Sequence, residues 1–262
     1  MMNIEKYYRQ SATAFLNASL ISCIPVIFFI ALFISVKLNR LFLLLIIPFC
    51  LYSITAFASY LIQRRRCERL TDTLEAQKVT SILQSKTVLL SFLPAPSLRM
   101  LIFDSEGTVL GEIRDDKFTL FRWYLPPFFD IFTAKTYGFY NGENMLQYQF
   151  TVKKQCVEIR NRKKQLISKL EEKRTDKATK TVYKYEKKEL CLKRSLAFTD
   201  YCLEDERGIA IVNVKKGWMP KDWQKRFLDP NHPVVSIHHS ASNKDIIHIY
   251  AILAKIFAYK DH

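Results

Sequence analysis

The chain opens with two long apolar runs that contain no charged residue. They cover residues 14–36 and 41–62, and each exceeds the ~20 residues that a helix needs to cross a bilayer. A soluble core helix of this length normally shows a polar face. Pro25 and Pro48 lie inside the runs, and membrane helices tolerate proline there. The pattern therefore predicts a two-helix transmembrane hairpin over residues 1–66.

Apolar residues become sparser after the second run. Leu70, Leu74 and Ile82 recur among polar residues at a loosely helical spacing. This spacing predicts a connecting helix that continues the second span and fades near residue 85, followed by a linker that extends to residue 94. Pro94 and Pro96 mark the entry into a separate domain over residues 95–262.

This domain consists of short apolar runs that are separated by turn signals. Asn141-Gly142 is a hairpin dipeptide, and Tyr148, Phe150 and Val152 alternate onto one face of a strand. No strand–helix–strand alternation is present, which argues against a parallel nucleotide-binding sheet. Short strands at this spacing predict an antiparallel sandwich or barrel. The predicted strands cover residues 99–104, 108–114, 118–124, 136–140, 145–152, 156–160, 165–170, 181–185, 189–193, 195–202, 209–214 and 232–239.

The last segment has a helical pattern. Ser242-Asn243 is a good helix cap, and residues 246–259 are apolar nearly all round, interrupted only by His248 and Lys255. These 14 residues would span ~21 Å as a helix, which is short of the ~30 Å hydrocarbon core of a bilayer. We expect the strands to enclose this helix, with a third membrane segment as the alternative.

One hairpin and the terminal helix together resemble a known fold. The hairpin reads FDSEGTVLGEI over residues 103–113. A strand meander that contains such a hairpin and ends in an apolar helix resembles the tubby carboxy-terminal fold, over about residues 95–260. That superfamily also contains the phospholipid scramblases and the plant LURP-one-related proteins. The resemblance implies an α+β soluble domain in which an antiparallel β-barrel surrounds a carboxy-terminal hydrophobic helix. As in tubby proteins, it also implies that basic residues bind phosphoinositide head groups.

Positive charge is concentrated in one stretch of the soluble part. The chain has a formal net charge of +15, and residues 151–200 contain 16 basic and 7 acidic residues. Near an anionic leaflet, Lys and Arg contribute ~1 kcal/mol each to attraction. A second basic stretch, residues 215–227, is mixed with aromatic residues, as at a water–lipid boundary. The predicted lipid-binding or partner-binding residues are Lys153, Lys154, Arg162, Lys163, Lys164, Lys215, Lys216, Trp218 and Trp223.

Each of these features also has a purely structural interpretation. The basic stretch can form the solvated faces of several strands, and the tryptophans can belong to a rim loop that covers the barrel end. Nucleic-acid binding is not expected, because no helix-turn-helix, zinc finger or aromatic RNA-reading motif is present. His238-His239 has no suitably spaced third ligand, and no phosphate loop or nucleophile elbow is found. We therefore expect no catalytic residue, no metal and no cofactor.

The sequence thus predicts a non-enzymatic, multi-pass membrane protein. Its tubby-like domain would bind anionic phospholipid head groups, or a protein partner, at the inner face of the cell membrane. Two alternatives remain open: a regulatory or interaction subunit of a membrane complex without lipid recognition, and scramblase-like lipid movement. The six cysteines include no Cys-x-x-Cys pair, which fits a reducing compartment.

The basic residues near the spans predict that both termini are cytoplasmic. Lys6 and Arg9 precede the first span and four arginines follow the second, whereas the link at residues 37–40 carries two basic residues. A membrane-impermeant thiol reagent added to intact cells should therefore leave Cys156 and Cys191 unlabelled and should label them after permeabilisation. Labelling of either cysteine in intact cells would contradict this topology.

Overall fold

The structure is a computed structural model that describes residues 2–36, 44–70, 82, 84–95, 97–116, 135–174, 179–186, 188–195, 200–238 and 241–258. The chain divides into two compact units. One is Glu5–Glu75, and the other combines Met1–Ile4 with Ala76–His262. Three predictions lie outside the described residues: the strand over 118–124, the link at 37–40, and residues 71–81 of the connecting helix.

The first unit contains two long helices, α1 at Ile4–Val36 and α2 at Ile47–Leu70. By length and composition, both are able to span a membrane. Only 11% and 6% of their most apolar stretches are buried by the protein, so their apolar surface is not covered as in a soluble core. Both helices extend beyond the predicted spans of residues 14–36 and 41–62: α1 begins earlier, at Ile4, and α2 ends later, at Leu70.

Small polar side chains join the two helices. Ser19 Oγ donates to the carbonyl oxygen of Ser53 at 3.1 Å, and Ser53 Oγ donates to the carbonyl oxygen of Ser19 at the same distance. Cys23 Sγ lies 3.4 Å from Ser53 Oγ. Small residues let helix backbones approach closely, and their hydroxyls form hydrogen bonds across the interface. These contacts hold α1 and α2 as a pair.

The second unit is a closed barrel of twelve antiparallel strands, in which each strand pairs with the next and β1 pairs with β12. Asn3 belongs to this unit and pairs with Thr108. The strands are β1 Thr87–Phe92, β2 Arg99–Phe103, β3 Val109–Asp115, β4 Lys135–Asn141, β5 Leu146–Val152, β6 Cys156–Asn161, β7 Leu166–Arg174, β8 Lys180–Tyr185, β9 Lys188–Arg194, β10 Tyr201–Glu204, β11 Ala210–Lys216 and β12 Pro233–Ile237.

Because neighbouring strands are antiparallel, their connections alternate between the two ends of the barrel. The connections after β2, β4, β6, β8 and β10 contain two to five residues, and we call this end the tight-turn end. The connections after β1, β3, β5, β7, β9 and β11 contain three to 19 residues, and we call this end the long-loop end.

Four turns at the tight-turn end share one design. The last residue of the first strand, or the residue after it, is Asp or Asn, and its side-chain oxygen accepts backbone N–H groups within the turn. Three positions later the backbone has a positive φ of 62–79°. The pairs are Asp104 and Gly107, Asn141 and Asn144, Asn161 and Lys164, and Asp205 and Gly208. The hairpin predicted at Asn141-Gly142 is therefore present, but Asn144 takes the left-handed conformation instead of Gly142.

The carboxy-terminal helix α3, Asn243–Ala258, lies inside the barrel. Residues 249–254 are all fully buried. Since successive residues are 100° apart on a helix, six consecutive buried residues mean that every side of α3 is covered. The Tyr250 ring stacks on Phe139 of β4 at 5.4 Å, and Phe257 packs against Phe92 of β1 at 4.9 Å. The predicted antiparallel barrel around a hydrophobic helix is confirmed.

The predicted strands do not include β1, whose residues fall in the predicted linker that ends at residue 94. Leu89 and Leu90 point to opposite faces of this strand and both are fully buried. A strand that is covered on both faces lacks the alternation of apolar and polar residues that reveals a strand. The barrel therefore begins at Thr87. At β10 the strand is Tyr201–Glu204, whereas the prediction placed it over 195–202.

The loop between β11 and β12 covers part of the outer face of β1 and β2. The Phe227 ring lies 5.7 Å from Phe103, and His232 Nδ1 lies 3.3 Å from Ser91 Oγ. Arg226 forms an ion pair with Glu106 at 2.5 Å. This cover explains why the outward-facing residues of β1 are as buried as the inward-facing ones.

The first turn of α3 is held by a capping box. Asp245 N donates to Ser242 Oγ at 3.2 Å, and Ser242 N donates to Asp245 Oδ2 at 3.0 Å. Tyr185 Oη also donates to Asp245 Oδ1 at 2.7 Å. Burial opposes ionisation of Asp245, but these hydrogen bonds and Lys188 outweigh it and lower the pKa of the carboxyl below its ordinary value.

Replacing this carboxylate should destabilise the barrel. We expect Asp245→Ala to lower the free energy of unfolding by about 1–3 kcal/mol, measured as the thermal midpoint of the full chain in detergent. Because the folded pKa is lowered, the stabilisation is present above the unfolded pKa of about 3.9 and is lost as the pH falls through the folded pKa. The difference between the variant and wild type should therefore shrink below about pH 4.

A matched control is Asp222→Ala, in the short helix Lys221–Lys225 on the outer loop. This substitution should change the free energy of unfolding by no more than about 0.5 kcal/mol. Equal midpoints for Asp245→Ala and wild type at neutral pH would contradict the role given to the capping box.

Candidate functional site

The barrel separates the nine predicted binding residues into three locations. Five of them belong to the long-loop end. Two follow β5, two end β11 and one lies in the loop after β11: Lys153, Lys154, Lys215, Lys216 and Trp218. Residues 162–164 form the turn after β6 and belong to the tight-turn end. Trp223 lies in the outer loop, 6.1 Å from the Phe227 ring. Because β6 runs the length of the wall, Lys154 and Arg162 are at opposite ends despite their closeness in sequence.

The long-loop end carries a surface that we call the basic rim. Lys154, Arg194 and Lys216 are exposed, and no carboxylate among the described residues forms an ion pair with their side chains. Lys193 and Lys153 are paired with Glu204 and Glu158, respectively. The basic rim consists of Lys153, Lys154, Lys193, Arg194, Lys215, Lys216 and Trp218.

The ion pairs neutralise only part of the basic rim. The hydrogen bond from Lys153, together with one from Arg160, lowers the pKa of Glu158 below its ordinary value. A hydrogen bond to Glu204 raises the pKa of Lys193. Glu158 and Lys193 are therefore both charged at neutral pH. No ion pair among the described residues neutralises Lys154, Arg194 or Lys216, so their positive charges can attract a ligand.

Trp218 is the most exposed aromatic residue of the rim, with 68% of its surface accessible. It follows Gly217, whose φ of 80° is in the left-handed region that glycine favours. Lys215 Nζ lies 5.5 Å from the centre of the Trp218 ring, within reach of a cation–π interaction. Trp223, by contrast, is half-buried beside Phe227, so Trp218 is the more exposed of the two predicted tryptophans.

The buried helix positions one turn of the rim. Lys255 of α3 is buried, forms an ion pair with Glu172 of β7, and donates from Nζ to the carbonyl oxygen of Lys154 at 3.2 Å. Lys135 Nζ lies 3.4 Å from the carbonyl oxygen of Ala258, at the carboxyl end of the helix, where positive charge is favourable. The interior of the barrel thus holds the turn that presents Lys153 and Lys154.

Three residues of this region are not among the predicted binding residues: Lys193, Arg194 and Lys255. Lys193 and Arg194 are visible in the sequence as part of the basic stretch, but only the strand pairing brings them to the end of the barrel that carries Lys154. Lys255 is visible as a charge within an apolar helix. Such a charge is buried only when it is paired, so it signals a polar partner inside the core.

Polar groups inside the barrel also surround His248. Its Nε2 lies 2.9 Å from Ser168 Oγ, and its ring lies 4.1 Å from that of Tyr185. Burial lowers the pKa of His248, so the imidazole is neutral at pH 7. Burial also raises the pKa of the Cys202 thiol on the wall, which keeps it protonated. Within the described ranges, no three His, Cys, Asp or Glu residues are arranged to hold a metal ion.

Comparison with known proteins gives a structural neighbour of low similarity. No protein-family model matches the chain, and no curated protein sequence matches it. An X-ray structure of a protein from Arabidopsis thaliana matches 70% of this chain and 99% of its own, with 11% identity and a TM-score of 0.43. A closed twelve-stranded barrel with an amino-terminal helical pair fits the tubby-like superfamily only loosely.

The buried Lys255–Glu172 pair can be tested by removing one partner or both. Lys255→Met removes the buried cation that pairs with Glu172 and should lower the free energy of unfolding by about 3–5 kcal/mol. Lys255→Met combined with Glu172→Met removes both charges and should recover most of that loss. The thermal midpoint of the full chain in detergent gives both values. A double variant that is as unstable as Lys255→Met would contradict the pairing.

Proposed function

We propose that the protein is a non-enzymatic, membrane-anchored member of the tubby-like superfamily whose barrel binds anionic lipid through its basic rim. In this proposal α1 and α2 span the cell membrane and both termini are cytoplasmic. The observation that carries the proposal is that six cations and an exposed tryptophan lie at the long-loop end of the barrel. The anchor would keep the barrel in the neighbourhood of an anionic leaflet.

Electrostatic attraction is the main physical support. Anionic lipids give the cytoplasmic leaflet a negative surface potential that attracts nearby Lys and Arg residues. This attraction decays over a Debye length of about 10 Å at 0.1 M salt, so only cations that approach the surface contribute. Lys154, Arg194 and Lys216 are exposed at one end of a rigid barrel, which allows them to approach a flat surface together.

Trp218 supports a lipid ligand over a soluble polyanion. Tryptophan favours the boundary between lipid head groups and water, because its ring is apolar and its N–H is polar. Its neighbour Lys215 carries the charge that anionic head groups attract. An exposed tryptophan beside several cations is therefore suited to a surface that offers both negative charge and an apolar layer.

Anchoring increases the effect of a weak contact. Once α1 and α2 are held in a bilayer, the effective concentration of lipid near the barrel is set by the tether and not by diffusion. A rim with modest affinity would then be occupied whenever the leaflet carries enough anionic lipid. The barrel would respond to the anionic content of the membrane.

The proposal can be tested through Trp218 itself. The full chain is held in phosphatidylcholine nanodiscs and mixed with vesicles that contain brominated lipid, with or without phosphatidylserine. We expect phosphatidylserine to increase quenching of tryptophan fluorescence, and Trp218→Phe to remove this increase. Lys215→Glu with Lys216→Glu should raise the lipid concentration for half-maximal quenching by at least roughly tenfold.

A matched control carries the same change of charge on the barrel wall. Lys169→Glu with Lys184→Glu alters two exposed lysines of β7 and β8 that do not belong to the rim, and it should leave the quenching of Trp218 unchanged. If Trp218 is quenched equally by neutral and anionic vesicles at low salt, the rim does not recognise anionic lipid. The protein would then be better explained as an interaction subunit.

A further inference from the structure

Exposed apolar side chains on the barrel are not scattered. Among the described residues of the barrel unit, five large apolar side chains are exposed: Met145, Leu166, Ile167, Ile209 and Trp218. Trp218 belongs to the basic rim, and the other four are at the tight-turn end. Single exposed apolar residues need no explanation, but three of these four lie on two hairpins that are adjacent in the sheet.

These hairpins are β4–β5 and β6–β7, which are neighbours because β5 pairs with β6. Arg162 Nη2 donates to Gln147 Oε1 at 2.5 Å and so joins the two hairpins near their ends. Both turns have an Asn at the end of the first strand, and Asn141 and Asn161 accept backbone N–H groups within their turns. The turns are thus held in place before any ligand binds.

The two turns combine apolar side chains with positive charge. Met145, Leu166 and Ile167 are 46%, 56% and 47% exposed, and Lys163 and Lys164 are exposed beside them. We call Met145, Arg162, Lys163, Lys164, Leu166 and Ile167 the hairpin tip. Glu143 is also exposed in the β4–β5 turn, so the tip and this turn together carry three basic groups and one acidic group.

This combination fits the surface of a bilayer. Met145 belongs to the β4–β5 turn, whereas Leu166 and Ile167 begin β7 and point to opposite faces of that strand. An apolar partner therefore has to cover both faces of this edge of the barrel, as a soft apolar medium can. Lys and Arg at the same depth need anionic groups just above that medium. The acyl-chain boundary of an anionic leaflet supplies both at the right spacing.

We propose that the hairpin tip inserts into an anionic bilayer surface, as a second lipid contact at the opposite end of the barrel from the basic rim. A seven-residue strand such as β5 is ~23 Å long, so tip and rim are too far apart to share one contact point. If the rim also binds lipid, which rests on the function proposed above, the barrel can connect two lipid surfaces.

The test places a reporter in the tip. Met145→Trp is introduced into the full chain, which is held in phosphatidylcholine nanodiscs and mixed with brominated phosphatidylcholine–phosphatidylserine vesicles. We expect the reporter to add quenching beyond that of the wild-type tryptophans. In the reporter background, Leu166→Gln with Ile167→Gln should raise the lipid concentration for half-maximal quenching by at least roughly tenfold. Lys163→Glu with Lys164→Glu should act in the same direction.

Two controls distinguish the tip from the rest of the barrel. Ile209→Gln alters an apolar residue of similar exposure, 46%, on the β10–β11 turn at the same end, and it should leave the reporter signal unchanged. Lys215→Glu with Lys216→Glu should weaken rim binding, as described above, and should leave the reporter signal unchanged. A negative result for lipid binding by the tip can therefore be distinguished from a negative result for lipid binding by the rim.

The inference is overturned by either of two results. One is a Met145→Trp reporter that adds no quenching by brominated lipid. The other is a Leu166→Gln, Ile167→Gln variant that keeps its thermal midpoint and binds vesicles as tightly as its parent. If the thermal midpoint of that variant is lowered, vesicle binding by the Lys163→Glu, Lys164→Glu variant is the test instead. Unchanged binding would contradict insertion of the hairpin tip, and weakened binding would support it.

Discussion

The whole barrel unit depends on the need to bury an apolar helix on every side. Residues 249–254 of α3 have no exposed surface, and a helix that is apolar all round is stable in water only when it is fully enclosed. An open sheet covers one side of a helix, whereas a closed antiparallel barrel covers all sides and leaves no unpaired strand edge. A barrel of twelve strands is wide enough to enclose a helix, whereas the interior of an eight-stranded barrel is just wide enough to be filled by its own side chains.

Enclosing a helix creates a problem at each of its ends, where backbone groups lack partners. At the amino end, Ser242 and Asp245 form a capping box, and Tyr185 binds the same carboxylate. At the carboxyl end, the buried amines of Lys135 and Lys255 donate to carbonyl oxygens of Ala258 and Lys154. The second of these contacts also connects the core to the functional surface, because Lys154 belongs to the basic rim. Core stability and the shape of the rim are therefore linked.

The up-and-down strand order divides the surface of the barrel into two chemically different ends. Tight turns held by Asp or Asn side chains collect at one end, and the longer loops, which more often carry binding residues, collect at the other. A basic stretch that is continuous in sequence is thereby split. Lys153 and Lys154 join Lys215 and Lys216 at the long-loop end, while residues 162–164 join exposed apolar residues at the tight-turn end.

Local sequence patterns by themselves determined the two apolar helices, most of the strands and the terminal helix. These features depend on runs of apolar residues, on alternation and on turn residues, all of which act over a few positions. β1 has no such local signal, because a strand covered on both faces does not alternate, and its cover includes His232, which is 141 residues from Ser91 in the sequence. Only the tertiary structure decided which charges share a surface. Strand pairing, and not closeness in sequence, brings Arg194 near Lys216 and moves Arg162 to the far end of the barrel.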